Sequence, residues 1–213
     1  MSLEATHIRF ALDLMDDYQV QDVEKYISGA IYPDSRYITR IDRNLTHGDD
    51  IILPEFAKDD FRKGWQTHQI CDNLQNEKRK ELFPELFLTY EEGSNEHIVA
   101  SAIKIIQDMN DFKGFDLQDY LKYLNYDFNP NGENIEKVKR YNQLMIDFYK
   151  DKDKIKVDDY YKMLLGLGIE EELGKKILFK TKKFFKNQSL IERIHSLYDE
   201  MIKSYDKNSR III

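Results

Sequence analysis

The sequence predicts an all-α protein, a bundle of about eight to ten helices, and three observations carry that expectation. Apolar residues recur at steps of three and four along almost the whole chain. No stretch alternates apolar and polar residues with the period of a strand. Breaks such as Pro33, Pro54, Asn129-Pro130-Asn131-Gly132 and Gly166 to Gly168 fall between the periodic runs.

His7, Phe10, Ala11, Leu14 and Tyr18 form the first stripe, and Val20, Val23, Ile27 and Ala30 the second. The second helix ends before Pro33, because proline pushes the residue ahead of it out of the α region. Residues 33–57 read as loop, with Pro33, Gly48 and Pro54 among polar side chains. Asp59-Asp60 then opens a third helix with acidic residues where the helix dipole favours them. Its stripe is Phe61, Gly64, Trp65, His68, Cys71, Asp72 and Gln75. Ser94-Asn95-Glu96 caps a helix bearing Ile98, Ala102, Ile105, Ile106 and Met109, and Asp116 caps a short one with Leu117, Leu121 and Leu124. Residues 133–150 present Ile135, Val138, Tyr141, Met145 and Phe148 at helical spacing, and Val157 to Leu167 gives a further short helix. Ser189-Leu190-Ile191-Glu192 matches a capping box for a last helix reaching Tyr205.

With 213 residues, 41% hydrophobic and 13% aromatic, the chain has material for one good core. The reading is a single all-helical domain over 1–213, with a site-bearing core over 4–110 and a helical extension over 111–213. A net charge of −7, with no basic tail, argues against nucleic-acid binding and against a cationic membrane protein. No apolar run reaches the eighteen or so residues a membrane-spanning helix needs. One cysteine, Cys71, excludes an internal disulfide framework, and the opening residues lack the basic start and apolar run of a secretory signal. A cytoplasmic location is expected.

The informative residues are polar ones on inner faces. His68 and Asp72 lie one turn apart on the side of the third helix that carries Phe61 and Trp65. Burying an unpartnered imidazole and carboxylate costs several kcal/mol, so they require a hydrogen-bond partner, an ion pair or a metal. The i, i+4 spacing is also the one by which a helix offers two ligands to one ion. His7 begins the inner stripe of the first helix, Asp34 follows Pro33 at the end of the second, and His47 sits in the turn Thr46-His47-Gly48. Three of the five histidines thus fall within the first 68 residues, together with two well-placed aspartates. Imidazole and carboxylate donors suit zinc, manganese, iron or nickel. A hydrogen-bonded core histidine is the competing account of each residue taken alone.

The ordered set Thr6-His7, Gly29-x-x-x-Pro33-Asp34, Arg43-x-x-Thr46-His47 and Gly64-x-x-x-His68-x-x-x-Asp72 resembles the zinc-dependent phospholipase C-like proteins, which are all-α and akin to the HD-type metal phosphohydrolases. The resemblance covers residues 6–72. It implies a phospholipase C/HD-like core and makes His7, Asp34, His47, His68 and Asp72 the metal ligands. Two departures stand beside it: Asp72 occupies the place of a second helical histidine, and the adjacent His-Asp pair of the HD group is absent. They favour one or two ions over three.

A divalent transition metal in such a site, zinc foremost, lowers the pKa of its water toward neutrality and supplies hydroxide as a nucleophile toward phosphorus. Asp34 and Asp72 are the candidate catalytic carboxylates, bridging ions or orienting the water. Phosphate oxygens need cationic partners, and Arg36, Arg40, Arg43 and Lys63 are the candidates. The competing role for the three arginines is pairing with Asp42, Asp49 and Asp50. The expected function is a metal-dependent phosphoester hydrolase, a phosphodiesterase or phosphomonoesterase acting on a small or lipid-like phosphate ester. The alternative is a non-catalytic helical interaction protein in which the same residues form a hydrogen-bond network or a closed metal site. His97, His195 and Cys71 read as surface or packing residues, and Lys175 to Lys186 as a charged helix face over an aromatic core stripe.

Overall fold

The computed structural model describes residues 3–48, 53–87, 95–126 and 128–205. Among these residues the fold is all-α without strands. The elements run α1 (Glu4–Leu14), α2 (Val23–Ile31), α3 (Arg36–Thr39), α4 (Arg43–Thr46), α5 (Asp60–Leu82), α6 (Pro84–Phe87), α7 (Asn95–Gly114), α8 (Gln118–Leu121), α9 (Ile135–Tyr149), α10 (Val157–Gly166), α11 (Glu171–Phe184) and α12 (Gln188–Ser204). Eight of them span nine residues or more, and α3, α4, α6 and α8 are single turns. No helix is long and apolar enough to cross a membrane among the described residues.

The helix starts follow capping chemistry. Asp22 accepts from the Lys25 amide and so starts α2 at Val23, two to three residues later than the apolar stripe from Val20 suggests. Asp59 caps α5 through the Arg62 amide at 2.8 Å. The next carboxylate, Asp60, turns away to accept the Gln21 and Asp22 amides, tying the start of α5 to the start of α2. The last helix begins at Gln188, because Asn187 accepts from the Leu190 amide and caps ahead of the Ser189-Glu192 capping box. Ser94, the expected cap of α7, lies outside the described residues.

The segment expected as loop over 33–57 holds more helix than its composition suggests. Residues Tyr32–Ser35 form a 3-10 turn directly continuing α2, α3 and α4 follow, and Pro54–Phe56 makes another 3-10 turn. The proline takes the first turn of the 3-10 segment, where its missing amide is no loss.

One hydrophobic core joins residues from Leu3 to Met201, with α5 and α7 at its centre and α1, α2, α11 and α12 packed around them. The two halves of the chain share it: Ile8 and Phe10 of α1 lie in the same cluster as Met145, Tyr160, Ile177 and Leu197. Each such side chain contributes about 1.5–3 kcal/mol by leaving water. On α11 the expected aromatic core stripe is only partly realised, since Phe184 is buried while Phe179 is 73% exposed.

The closest helix pair is α2 against α5, and glycine explains it. A Cβ at Gly29 would run into the backbone carbonyl of Phe61, and one at Gly64 into that of Tyr26. Each helix therefore presents bare backbone to the other, which carries the end of α2 and the middle of α5 into direct contact.

Candidate metal centre

That contact places two functional elements side by side. The ring of His68, on α5, bonds the Ala30 carbonyl of α2 through Nδ1 at 2.7 Å. A carbonyl only accepts, so Nδ1 carries the hydrogen and Nε2 is left as a bare lone pair. Asp34 follows on the 3-10 turn that extends α2, and Asp72 lies one turn beyond His68 on α5.

His47 arrives from the end of α4, and α5 anchors that turn. The Trp65 indole and the Gln69 amide both donate to the Thr46 carbonyl, at 2.8 and 3.0 Å. The Thr46 hydroxyl donates to the Arg43 carbonyl and stands 2.8 Å from Nδ1 of His47. With the hydroxyl hydrogen on the Arg43 carbonyl, its oxygen accepts from Nδ1–H and His47 also presents a bare Nε2; with that hydrogen on Nδ1, His47 Nε2 carries the ring proton.

The two Nε2 atoms face each other. His47 Nε2 lies 3.1 Å from His68 Nε2. At that separation either a hydrogen bond from His47 Nε2–H to the bare Nε2 of His68 or a shared cation joins the two rings. Around them, Asp34 Oδ1 is 3.7 Å and Asp72 Oδ2 3.6 Å from His47 Nε2, and Asp72 Oδ2 is 3.8 Å from His68 Nε2. Donors about 2.0–2.1 Å from one ion lie roughly 3.3 Å apart when tetrahedral, so the set fits a single cation after small adjustments. His7 completes the group from α1. Its ring stacks on His68 with centroids 3.7 Å apart, and its Nε2 is 3.7 Å from Asp72 Oδ1, the oxygen that the other two histidines do not approach.

All five expected ligands are therefore brought together, and their burial makes a cation the natural complement. Both nitrogens of His7 and both carboxylate oxygens of Asp34 are buried without a hydrogen-bond partner. Burial, reinforced by the neighbouring imidazole of His68, lowers the pKa of His7 and takes that of His47 down to about 2, so both rings are neutral and competent as ligands. Burial likewise raises Asp34 above the ordinary carboxylate range. It would raise Asp72 also, but surrounding positive charge, Lys104 included, holds Asp72 well below that range.

A polar cavity of about 40 Å³ opens onto the cluster, lined by Arg43, His47, Gly48, Gln69, Asp72, Asn73 and Asn76. Of the four expected phosphate partners, Arg43 lines it. Arg36 lies half-buried beside it, stacked on Tyr37 and donating to that ring's hydroxyl at 2.7 Å, with its Nε unpartnered. Arg40 and Lys63 point elsewhere. Arg40 adopts a left-handed φ of 64°, which carries its guanidinium over Gly168. Lys63 pairs with Asp60 at 2.7 Å, at the junction of α1 and α2. Among the described residues none of the three arginines pairs with Asp42, whose carboxylate caps α4 through the Asn44 amide, and Asp49 and Asp50 lie outside them.

Sequence reasoning missed the residues that hold α1 in place. Asp108 on α7 accepts the Ala5 amide at 3.0 Å and the hydroxyls of Tyr149 and Tyr160, while Asp111 accepts from Thr6 at 2.8 Å and Arg9 at 2.9 Å. Glu4 accepts from Tyr141 at 2.5 Å. These bonds clamp the first turn of α1 to α7 and α9 and so set where His7 points. Their signal was present: Lys104, Asp108 and Asp111 repeat at i, i+4 and i+7 on a helix otherwise rich in isoleucine.

Comparisons of the chain with protein-family models, with curated proteins and with solved structures give no match.

Proposed function

We propose that this chain is a metal-dependent phosphoester hydrolase whose centre holds one divalent transition metal, zinc foremost, between Asp34, His47, His68 and Asp72, with His7 at its edge. The observation that carries the proposal is the pair of Nε2 atoms facing each other at 3.1 Å beside the two unpartnered carboxylate oxygens of Asp34. The bound ion would supply Lewis-acid activation of a water and of a phosphoryl oxygen. The residues of the chain do the rest. Ala30 and Thr46 hold the two rings with their ligating nitrogens forward, and Arg43 offers a guanidinium at the mouth of the cavity for bidentate contact with phosphate. Asn73 and Asn76 add neutral polar groups beside it.

The resemblance to the zinc-dependent phospholipase C-like and HD-type proteins belongs to this proposal, as do a cytoplasmic setting and a small or lipid-like phosphate ester as substrate. The net charge of −7 argues against a nucleic-acid substrate.

One observation favours a second reading. Four protein donors, Asp34, His47, His68 and Asp72, would surround the ion position, and a site saturated by protein ligands is the mark of a structural metal. The chain would then be a helical interaction protein stiffened by its ion. Metal content of the purified protein, followed by assays with an aryl phosphomonoester and an aryl phosphodiester, separates the two. The hydrolase reading expects one ion per chain and hydrolysis, both lost in His68→Ala. A stoichiometric ion without hydrolysis of either ester supports the structural reading, and absence of metal rejects both.

A further inference from the structure

The lysine-rich run from Lys175 to Lys186 belongs to α11 and the turn after it, outside the metal centre, and its charge opposes that of the chain. Between Glu172 and Glu192 stand six lysines and no acidic residue, in a protein of net charge −7. The buried side of the helix is Gly174, Ile177, Leu178, Thr181 and Phe184. Phe179 lies directly opposite that stripe and is 73% exposed, with Lys176 three residues before it and Lys183 four after it on the same exposed face. Lys175 and Lys182 are matched by Glu171, Glu172 and Asp158. Lys176, Lys180, Lys183 and Lys186 make no ion pair among the described residues.

An open groove of about 350 Å³ leads from the start of α7 to this face, lined by Asn95, Ile98, Lys175, Lys176, Phe179 and Lys180. Ile98 and Phe179 make its wall apolar, and the lysine stems add methylenes beneath their ammonium groups. A solvated helix face has no use for a phenyl ring at its crest. An exposed ring surrounded by unmatched cations complements a layer of anionic headgroups above acyl chains, where the ring enters the apolar boundary and the ammonium groups stay with the headgroups. An acidic protein partner suits the face less well. A stable protein interface buries about 800 Å² on each side, and the groove offers one ring and one isoleucine as dry contact.

We propose that the exposed face of α11 docks the chain on an anionic lipid surface, with Phe179 inserted at the headgroup level and Lys176, Lys180 and Lys183 held against the anionic groups around it. Docking of this kind needs neither the ion nor hydrolysis, so its failure would leave the proposed hydrolase untouched.

The test is co-sedimentation of the full chain with vesicles, one set of phosphatidylcholine alone and one containing about one third phosphatidylserine. Wild type should sediment with the second set and not with the first, and added salt should release it, because exposed charges are screened. Lys176→Gln combined with Lys183→Gln should weaken binding about 25-fold, each lysine near an anionic surface strengthening it about fivefold. Phe179→Ala should weaken it about tenfold or more, whereas Phe179→Trp keeps a ring suited to the interface and should bind as wild type does. All three positions are exposed, and circular dichroism checks that helicity is kept. Absence of sedimentation with the phosphatidylserine vesicles, equal sedimentation with both sets, or undiminished binding in the lysine variant or in Phe179→Ala overturns the inference. Retention of the chain on polyglutamate but not on vesicles, lost in the same lysine variant, also overturns it and assigns the face to an acidic protein.

Discussion

Substituting Gly64 with alanine probes the contact on which the centre is built. In an isolated helix the change would help, by about 1 kcal/mol, because glycine carries the larger backbone entropy cost. Here the new methyl would overlap the Tyr26 carbonyl and come within 2.8 Å of the Ala30 nitrogen, both of them backbone atoms of α2 that cannot swing aside. The helices must separate by on the order of 1 Å, and overpacking of this kind costs about 1–3 kcal/mol. Separation also stretches the 2.7 Å bond between His68 Nδ1 and the Ala30 carbonyl, which contributes about another 1 kcal/mol. Set against the gain in helix propensity, the net loss is about 2 kcal/mol, or roughly 4–8 °C in melting temperature for a chain of this size.

Two measurements check it. Thermal unfolding by circular dichroism should show Gly64→Ala melting lower than wild type, and zinc affinity should fall because the ring of His68 is no longer held in one tautomer. The control is alanine at Gly174 on α11, where a Cβ would make only ordinary van der Waals contact with the Tyr161 ring at 3.5 Å. If Gly64→Ala melts at or above wild type and binds zinc equally well, the glycine contact does not organise the centre, and the account of how α2 and α5 deliver Asp34 and His68 is wrong.

Two further outcomes follow from the same structure. Trp65→Phe keeps the ring packed against Tyr32 and Phe61 but removes the indole donor to the Thr46 carbonyl, so zinc affinity should drop by about tenfold while helicity is unchanged; equal affinity would mean that the Gln69 amide alone fixes His47. Burial raises the carboxyl of Asp111 to about 7, its bonds to Thr6 and Arg9 notwithstanding. A group raised in the folded state contributes stability that is complete below its unfolded value, near 4, and is lost as pH rises through 7. The stability advantage of wild type over Asp111→Asn, read from urea unfolding, should therefore shrink between pH 5 and pH 8. An advantage that grows with pH would show that pairing with Arg9 outweighs burial.

How much of this was legible beforehand depended on where each residue stood. His68 and Asp72 announced themselves because two polar side chains interrupt a helical stripe that also holds Phe61 and Trp65, and all four are buried. Asp34 was legible through Pro33, which favours a first-turn position and so keeps the carboxylate rigidly attached to α2. The arginines were not. Arg40 and Arg43 stand three residues apart in similar surroundings, and only the left-handed backbone at Arg40 turns one outward while the other lines the cavity. No side-chain signal marks that backbone, since arginine lacks the preference for it that glycine and asparagine have. On α7 the apolar stripe hid a second, polar one. The helix is buried on several faces at once, so the isoleucines and the Lys104-Asp108-Asp111 row are both inward, and a reading that assigns one inner face per helix retains only the first.

That hidden row bears on why so many ionisable groups can share one small core. Glu4, Asp108 and Asp111 are raised by burial, to about 8, 6 and 7, so a large part of the acidic charge inside the protein is neutral near pH 6. Asp72 runs the other way, held ionised by the positive charge around it. The interior is thus divided in two. The carboxyls that clamp α1 act through hydrogen bonds, with the Arg9 guanidinium among the donors to Asp111, while the one at the centre keeps its charge beside the positive groups around it. A network built only to hold helices together would be expected to satisfy Asp34 and His7 as thoroughly as it satisfies Asp108, with its two tyrosines and two backbone amides. The contrast between those fully engaged atoms and the four unpartnered ones at Asp34 and His7 is the physical reason to assign the first set to the scaffold and, under the proposed function, the second to an ion.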